Sequence, residues 1–161
     1  VSTSAPSTAP VVMSTLFTAL SGAPALADVQ VLYGDTARAD RENLILTGNI
    51  HWDDEHWAAL GGRSREELFT IDGYCQVRNP GQTQQEALER CFALLAIYES
   101  VLRTLVQPGM GFSGALNTAF GTAKAQVVNV EFRPTKGLGF PVDQEGKAYQ
   151  VDFETRITAR I

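Results

Sequence analysis

The densest set of groups able to hold a metal ion or move a proton is His51-Trp52-Asp53-Asp54-Glu55-His56, which contains both histidines of the chain. Imidazoles and carboxylates are zinc ligands and general acid–base groups, but these histidines stand five apart. Helical zinc pairs stand three or four apart, and no cysteine pair is near. A solvated strand end or turn is the better account of the cluster. The adjacent carboxylates Asp53 and Asp54, and Glu66 and Glu67, would face opposite ways on a strand, a poor geometry for shared acid–base work. Gly109-Met110-Gly111-Phe112-Ser113-Gly114 spells the dinucleotide pattern G-x-G-x-x-G, which needs a strand before it and a helix after it. Here it follows a long helical pattern with no second βαβ unit downstream, so it reads as a loop, with a helical turn on which Phe112, Leu116 and Phe120 share a side. No nucleophile elbow, Walker loop or spaced Ser, His and Asp set is present. Catalysis is disfavoured, no catalytic or metal residue is assigned, and no cofactor is implied.

The elements around these residues are marked more clearly than any site. From Thr83 to Val106 the chain writes one amphipathic helix. It opens with a capping box, in which Thr83 accepts from the amide of Glu86 and the Glu86 carboxylate reaches back to the amide of Thr83. Leu88, Cys91, Phe92, Leu95, Tyr98, Leu102 and Leu105 recur on one face, Pro108 and Gly109 end it, and the stripe is that of a helix packed on a sheet. In 68–78, Phe69, Ile71, Cys75 and Val77 alternate with Thr70, Asp72, Gln76 and Arg78. In the last segment Tyr149, Val151, Phe153, Ile157 and Ile161 alternate with Gln150, Asp152, Glu154, Arg156 and Arg160. Between them, 125–133 sets Val128, Val130 and Phe132 against Asn129, Glu131 and Arg133, with Val127 adding apolar surface on the polar side. This strand and the last form an antiparallel pair joined by a loop over 134–146. A short strand over 29–33, a loop over 35–42, a longer and looser strand over 43–52 and an N-terminal helix over 10–20 complete the order α-β-β-β-α-β-β. The fold class is α+β: a mostly antiparallel sheet of about five strands, one long helix and a short N-terminal helix. Cys75 and Cys91 fall on the facing apolar sides of strand and helix, so they read as core thiols, inert through burial, and not as a disulfide or a nucleophile.

Composition points to one domain over 13–161, preceded by a disordered Ser/Thr/Ala/Pro arm over 1–12 with almost nothing to bury. Eighteen acidic against thirteen basic residues, a net charge of −5, argue against a sequence-reading nucleic-acid module. No apolar run approaches the roughly 18 residues of a membrane span, and no signal-peptide pattern opens the chain, so a soluble cytoplasmic product with no membrane partner is expected. Either Val1 or Met13 serves as the translation start. The glycine-rich stretches 108–122 and 135–146 carry Met110, Phe112, Leu116, Phe120, Leu138, Phe140 and Val142, unusual for solvated connections. These side chains either await a subunit or partner, or fold back over the open sheet edge. The mixed-sign strand face that includes Asp72, Arg78, Glu131, Arg133, Asp152, Glu154, Arg156 and Arg160 is either solvated sheet or a subunit seam of ion pairs.

The order of elements, with Asp40-Arg41-Glu42-Asn43 leading one strand, Arg65-Glu66-Glu67-Leu68-Phe69-Thr70-Ile71 the next, the helix Gln85-Glu86-Ala87-Leu88-Glu89-Arg90-Cys91 and the closing Phe153-Glu154-Thr155-Arg156-Ile157-Thr158-Ala159-Arg160-Ile161, resembles the tail terminator (tail completion) proteins of long-tailed, siphovirus-type bacteriophages, above all those of actinobacteria. The likeness runs over most of the chain from Met13. It implies a structural virion protein, assembled in the host cytoplasm into the viral tail as a homohexameric ring. That ring caps the tail tube, stops its polymerisation and meets the head completion (stopper) protein, with genomic DNA passing unbound. Another head–tail joining component of similar size is the alternative, and a small metal-dependent enzyme using the His51 cluster is a further one.

Overall fold

The computed structural model describes residues 8–34, 42–57, 65–78, 83–106, 126–133, 139–141 and 148–160; at 53–57, 65–66, 106, 126–129, 139–141 and 160 it describes the backbone. The chain runs through helix α1 (Ala9–Ser21), a 3-10 turn (Pro24–Leu26), strands β1 (Gln30–Tyr33), β2 (Asn43–Trp57) and β3 (Arg65–Arg78), helix α2 (Gln84–Val106), and strands β4 (Gln126–Arg133), β5 (Gly139–Pro141) and β6 (Ala148–Arg160). The architecture is α+β, in the order the periodicities predict, with the short β5 added inside the stretch read as a loop. The sheet order is β1-β2-β3-β6-β4, and β5 pairs with β6 beside β4. All pairs are antiparallel except β1 with β2, where Gln30 lies beside Asn43 and Tyr33 beside Leu46 in parallel register. The sheet is therefore mixed, because alternation of side chains carries no information about strand direction. A parallel pair usually needs a crossover of about a dozen residues. Residues 34–42 suffice here because β1 is only four residues long, roughly 13 Å at ~3.3 Å per residue.

Both helices lie on one face of the sheet. Their inward residues merge with Leu44, Leu46, Phe69, Ile71, Cys75, Val77, Val151, Phe153 and Ile157 into one buried core. Helix α2 begins as its sequence predicts. The Thr83 hydroxyl accepts from the Glu86 amide at 3.2 Å, and the Glu86 carboxylate accepts from the Thr83 amide at 3.3 Å. Its inward line, however, is Ala87, Cys91, Leu94, Leu95, Tyr98, Leu102 and Leu105, while Leu88 is half-buried and Phe92 is 44% exposed. Phe92 was expected inside, but the small Ala87 and Leu94 occupy the line facing the sheet and turn Phe92 to its flank. The Tyr98 ring stacks at 4.7 Å on Phe153 and 5.0 Å on Phe132, and its hydroxyl meets Thr155 Oγ1 at 2.6 Å. That bond gives each of the two buried hydroxyls a partner, and burial of the ring adds roughly 1.5–3 kcal/mol.

Helix α1 begins at Ala9, so residues 9–12 are not part of an unstructured arm. Ala9 and Val12 are buried, and a fixed point holds the helix start: the Glu67 carboxylate, 1% exposed, accepts from the Thr8 amide at 2.6 Å and the Thr8 hydroxyl at 2.5 Å. A carboxylate at a helix N-terminus meets unsatisfied amides and the positive end of the helix dipole, which compensates its burial. The loose patterning of β2 also has a cause. Between the Leu46–Gly73 and Ile50–Ile71 pairs, Thr47, Gly48 and Asn49 stand opposite Asp72 alone, and a second irregularity leaves Asp53 extra. Gly48 has φ +81°, a left-handed conformation that favours glycine. The Thr47 hydroxyl holds this bulge by donating to the Asp72 carbonyl and accepting from the Asn49 amide, each at 3.2 Å. In β4 the break in alternation at Val127-Val128 coincides with another bulge.

Candidate functional site

The sheet face away from the helices carries charges drawn from four strands. Asp72 on β3 stands directly opposite Glu154 on β6, a like-charge pair that costs stability unless neutralised. Each carboxylate is engaged from its own side. His51 on β2 places Nε2 2.8 Å from Asp72, and Arg133 on β4 reaches Glu154 at 3.2 Å and Glu131 at 3.1 Å. Glu131, then Glu154, raise the Arg133 pKa further above its ordinary value by favouring the charged form. Two rows nearer β5, Gln76 donates to Gln150 at 3.2 Å, and Gln150 donates to Asp152 at 3.0 Å. The His51–Asp72, Arg133–Glu154 and Gln76–Gln150 contacts join neighbouring strands of the sheet. They offer no nucleophile with an adjacent base, and among the described residues no three of His, Cys, Asp and Glu come together to hold an ion.

The His51 cluster is thus divided. His51 belongs to the cross-strand pair with Asp72, and residues 53–57 continue β2 beyond its second irregularity. Cys75 and Cys91 are both buried and free, with the Cys91 thiol 3.4 Å from the Tyr149 carbonyl and 3.9 Å from that of Cys75. A hydrogen bond with Cys91, and then burial, push the Cys75 thiol well above its ordinary pKa. The thiolate form is suppressed, as expected of core cysteines. Arg90 on the exposed side of α2 pairs with Glu42 just before β2, tying the helix to the strand entry. The proposed contact residues Met110, Phe112, Leu116, Phe120, Leu138 and Val142, and the glycine-rich segment 109–114, lie outside the described residues. Phe140 lies on β5, its backbone opposite Gln150.

No protein-family model matches the chain, and no curated protein sequence matches it. Among the described residues no helix is long and apolar enough to cross a membrane.

One surface escaped the sequence. Strand β1 covers β2 only from Asn43 to Leu46, so beyond the Gly48 bulge the outer edge of β2 from Asn49 to Trp57 has no strand partner among the described residues. Where β1 stops, an apolar groove of about 350 Å³ opens along the flank of α1, lined by Pro10, Met13, Ser14, Phe17 and Tyr33. Tyr33 is 46% exposed, packs edge-on to Phe17 at 6.1 Å, and stands beside the Gly48 bulge. Trp52, on the same edge strand, is 52% exposed. At the opposite side of the sheet β4 presents a second outer edge, again without a strand partner among the described residues. The sequence signal for the groove was the spacing of Pro10, Ser14 and Phe17, which places a second, outward line on a helix read only for its inward one.

Proposed function

We propose that this chain is a ring-forming structural protein of a phage head–tail junction, acting as a tail terminator that caps the tail tube and meets the head completion protein. The observation that carries the reading is the form of the sheet: helices cover one face, and among the described residues neither the outer edge of β2 beyond Gly48 nor that of β4 has a strand partner. Unpaired amides and carbonyls on such an edge recruit other strands wherever bulges, charges or a covering segment do not blunt it. Two different edges on one subunit are compatible with a head-to-tail contact, which closes into a ring when the rotation per subunit allows. The resemblance over the strand leaders and α2 supports the same role. So does the net charge of −5, which keeps passing DNA from adhering to the protein. On the described sheet face His51 pairs with Asp72 and Arg133 with Glu131 and Glu154, and the proposed role calls for no catalytic group.

Light scattering of the purified protein across a concentration series, with and without purified tail tube protein, tests the proposal. The expected result is a mass near six subunits, formed alone or on addition of tube. A monomer at every concentration, indifferent to tube, refutes it.

A further inference from the structure

We infer that the outer edge of β2, from Asn49 to Trp57, is the receiving half of the subunit contact, and that it takes strand β4 of a second copy as an added antiparallel strand seated under the α1 groove. The inference rests on the ring reading and specifies its interface. Four observations on the two edges fit one another. The stretch of β2 beyond Gly48 and the whole of β4 (Gln126–Arg133), neither with an outer strand partner among the described residues, are of nearly equal length, and each carries one irregularity, at Asp53 and at Val127–Val128, so the regular runs 49–52 and 129–133 are the parts that can pair. Successive antiparallel pairings from β2 through β3 and β6 leave β4 opposite in direction to β2. A neighbour placed edge to edge, with both helix layers on the same side, therefore forms an antiparallel junction and continues the sheet.

The side chains agree with the backbone. An added strand gains affinity from main-chain hydrogen bonds and specificity from pockets for alternate side chains. On the helix side of β4, Val130 and Phe132 are only half-buried in their own subunit, although both pack on its core. The groove beside β2 has the complementary shortage, with Tyr33 and Pro10 exposed and Phe17 half-buried. Joining the edges sets the half-covered apolar side chains of β4 toward the half-covered groove along α1. The Gly48 bulge defines where this seat begins, because it ends the run over which β1 occupies the edge.

Site-directed cross-linking tests the contact. A chain carrying Asn49→Cys and one carrying Glu131→Cys are mixed at equal concentration, under conditions where light scattering reports an oligomer, and treated with a short bismaleimide. Both substituted positions are exposed, and Cys75 and Cys91 are buried. The expected product joins position 49 to position 131, without 49–49 or 131–131 dimers. Homotypic dimers alone assign the edge to a symmetric pair of copies and overturn the inference. An oligomer of unchanged mass that yields no cross-link also overturns it, while leaving the ring reading intact. Failure of the unsubstituted chain to assemble at any concentration or with tail tube protein overturns both. Ser14→Arg supplies an independent readout. Ser14 is exposed on the groove, so the monomer keeps its circular dichroism spectrum while self-association weakens by about tenfold or more, as for a charge left unpaired in an apolar contact. Unaltered association by Ser14→Arg overturns the seat under α1.

Discussion

Gly73→Ala is the sharpest test of how the sheet packs. Gly73 lies on the helix side of β3, opposite Phe153 of β6. A Cβ built there meets Phe153 Cζ at 2.5 Å, Phe153 Cε2 at 2.7 Å and the Ile45 carbonyl oxygen at 2.8 Å. Neither neighbour gives way easily. The Phe153 ring is fully buried and packed by Tyr98 at 4.7 Å and Phe132 at 5.9 Å, and the Ile45 oxygen belongs to the backbone of β2. Overpacking of this kind costs about 1–3 kcal/mol, and two constrained neighbours place Gly73→Ala at the upper end. At about 2–4 °C per kcal/mol for a chain of this size, the melting temperature falls by roughly 6–12 °C. Thermal unfolding followed by circular dichroism reads this directly. Phe153→Leu removes the ring and costs stability itself, but in its background Gly73→Ala should cost less, because part of the collision is gone. A Gly73→Ala protein within about 0.5 kcal/mol of the parent, the range of an inconsequential surface change, would refute the ring-over-glycine packing. Strict additivity with Phe153→Leu would refute the assignment of the strain to the ring.

Four further outcomes are expected. Thr83→Ala removes the acceptor of the capping box and lowers stability by about 1 kcal/mol, measurable by urea denaturation, with no loss if the cap is idle. Glu67→Ala leaves the start of α1 without its anchor, so hydrogen exchange should accelerate over residues 8–13 while α2 remains protected; uniform exchange across both helices would contradict a local role. Burial, partly offset by the bond to Thr155, raises the Tyr98 pKa from its ordinary 10. The stability this contributes is fully present below about pH 10 and is lost as pH rises above it. Ultraviolet titration should therefore show this tyrosine ionising only with unfolding, and Tyr98→Phe should flatten the alkaline loss. Phe140→Asp, in the strand β5, should weaken oligomerisation while leaving the monomer's thermal transition nearly unchanged, and a scattering mass equal to that of the parent would remove Phe140 from the interface.

Signals confined to one element survived translation into structure well. The Thr83–Glu86 box, the alternation of β3 and the alternation of β6 each depend on neighbours in sequence, and each sits where local chemistry places it. Features created by a distant partner did not declare themselves. Glu67 looks like half of an ordinary surface carboxylate pair until Thr8 arrives from the far end of the fold. Thr155 looks like a polar interruption of an apolar line until Tyr98 is set above it. Phe92 was ranked inward because hydropathy outweighs size in a periodicity argument, whereas contact with the sheet rewards the small Ala87. The stretch of β2 that has no outer strand partner among the described residues follows from the shortness of β1, and side-chain patterning records neither strand length nor direction reliably.

The central position of β3 also governs the history of each molecule. Its partner β2 is close behind it in the chain, so that hairpin can close while the protein is still being synthesised. Its other partner is β6, where Arg78 must find Ala148 and Glu66 must find Arg160. Until the ribosome has delivered β6, the whole far side of β3 is a raw edge, and α2 has no Phe153 or Thr155 to receive Tyr98. Non-local strand pairing of this kind is slow and leaves nascent chains prone to associate with one another. Soluble yield should therefore depend on how long chains wait for β6, so chaperone cover over that interval is expected to improve recovery more than substitutions that strengthen the finished core.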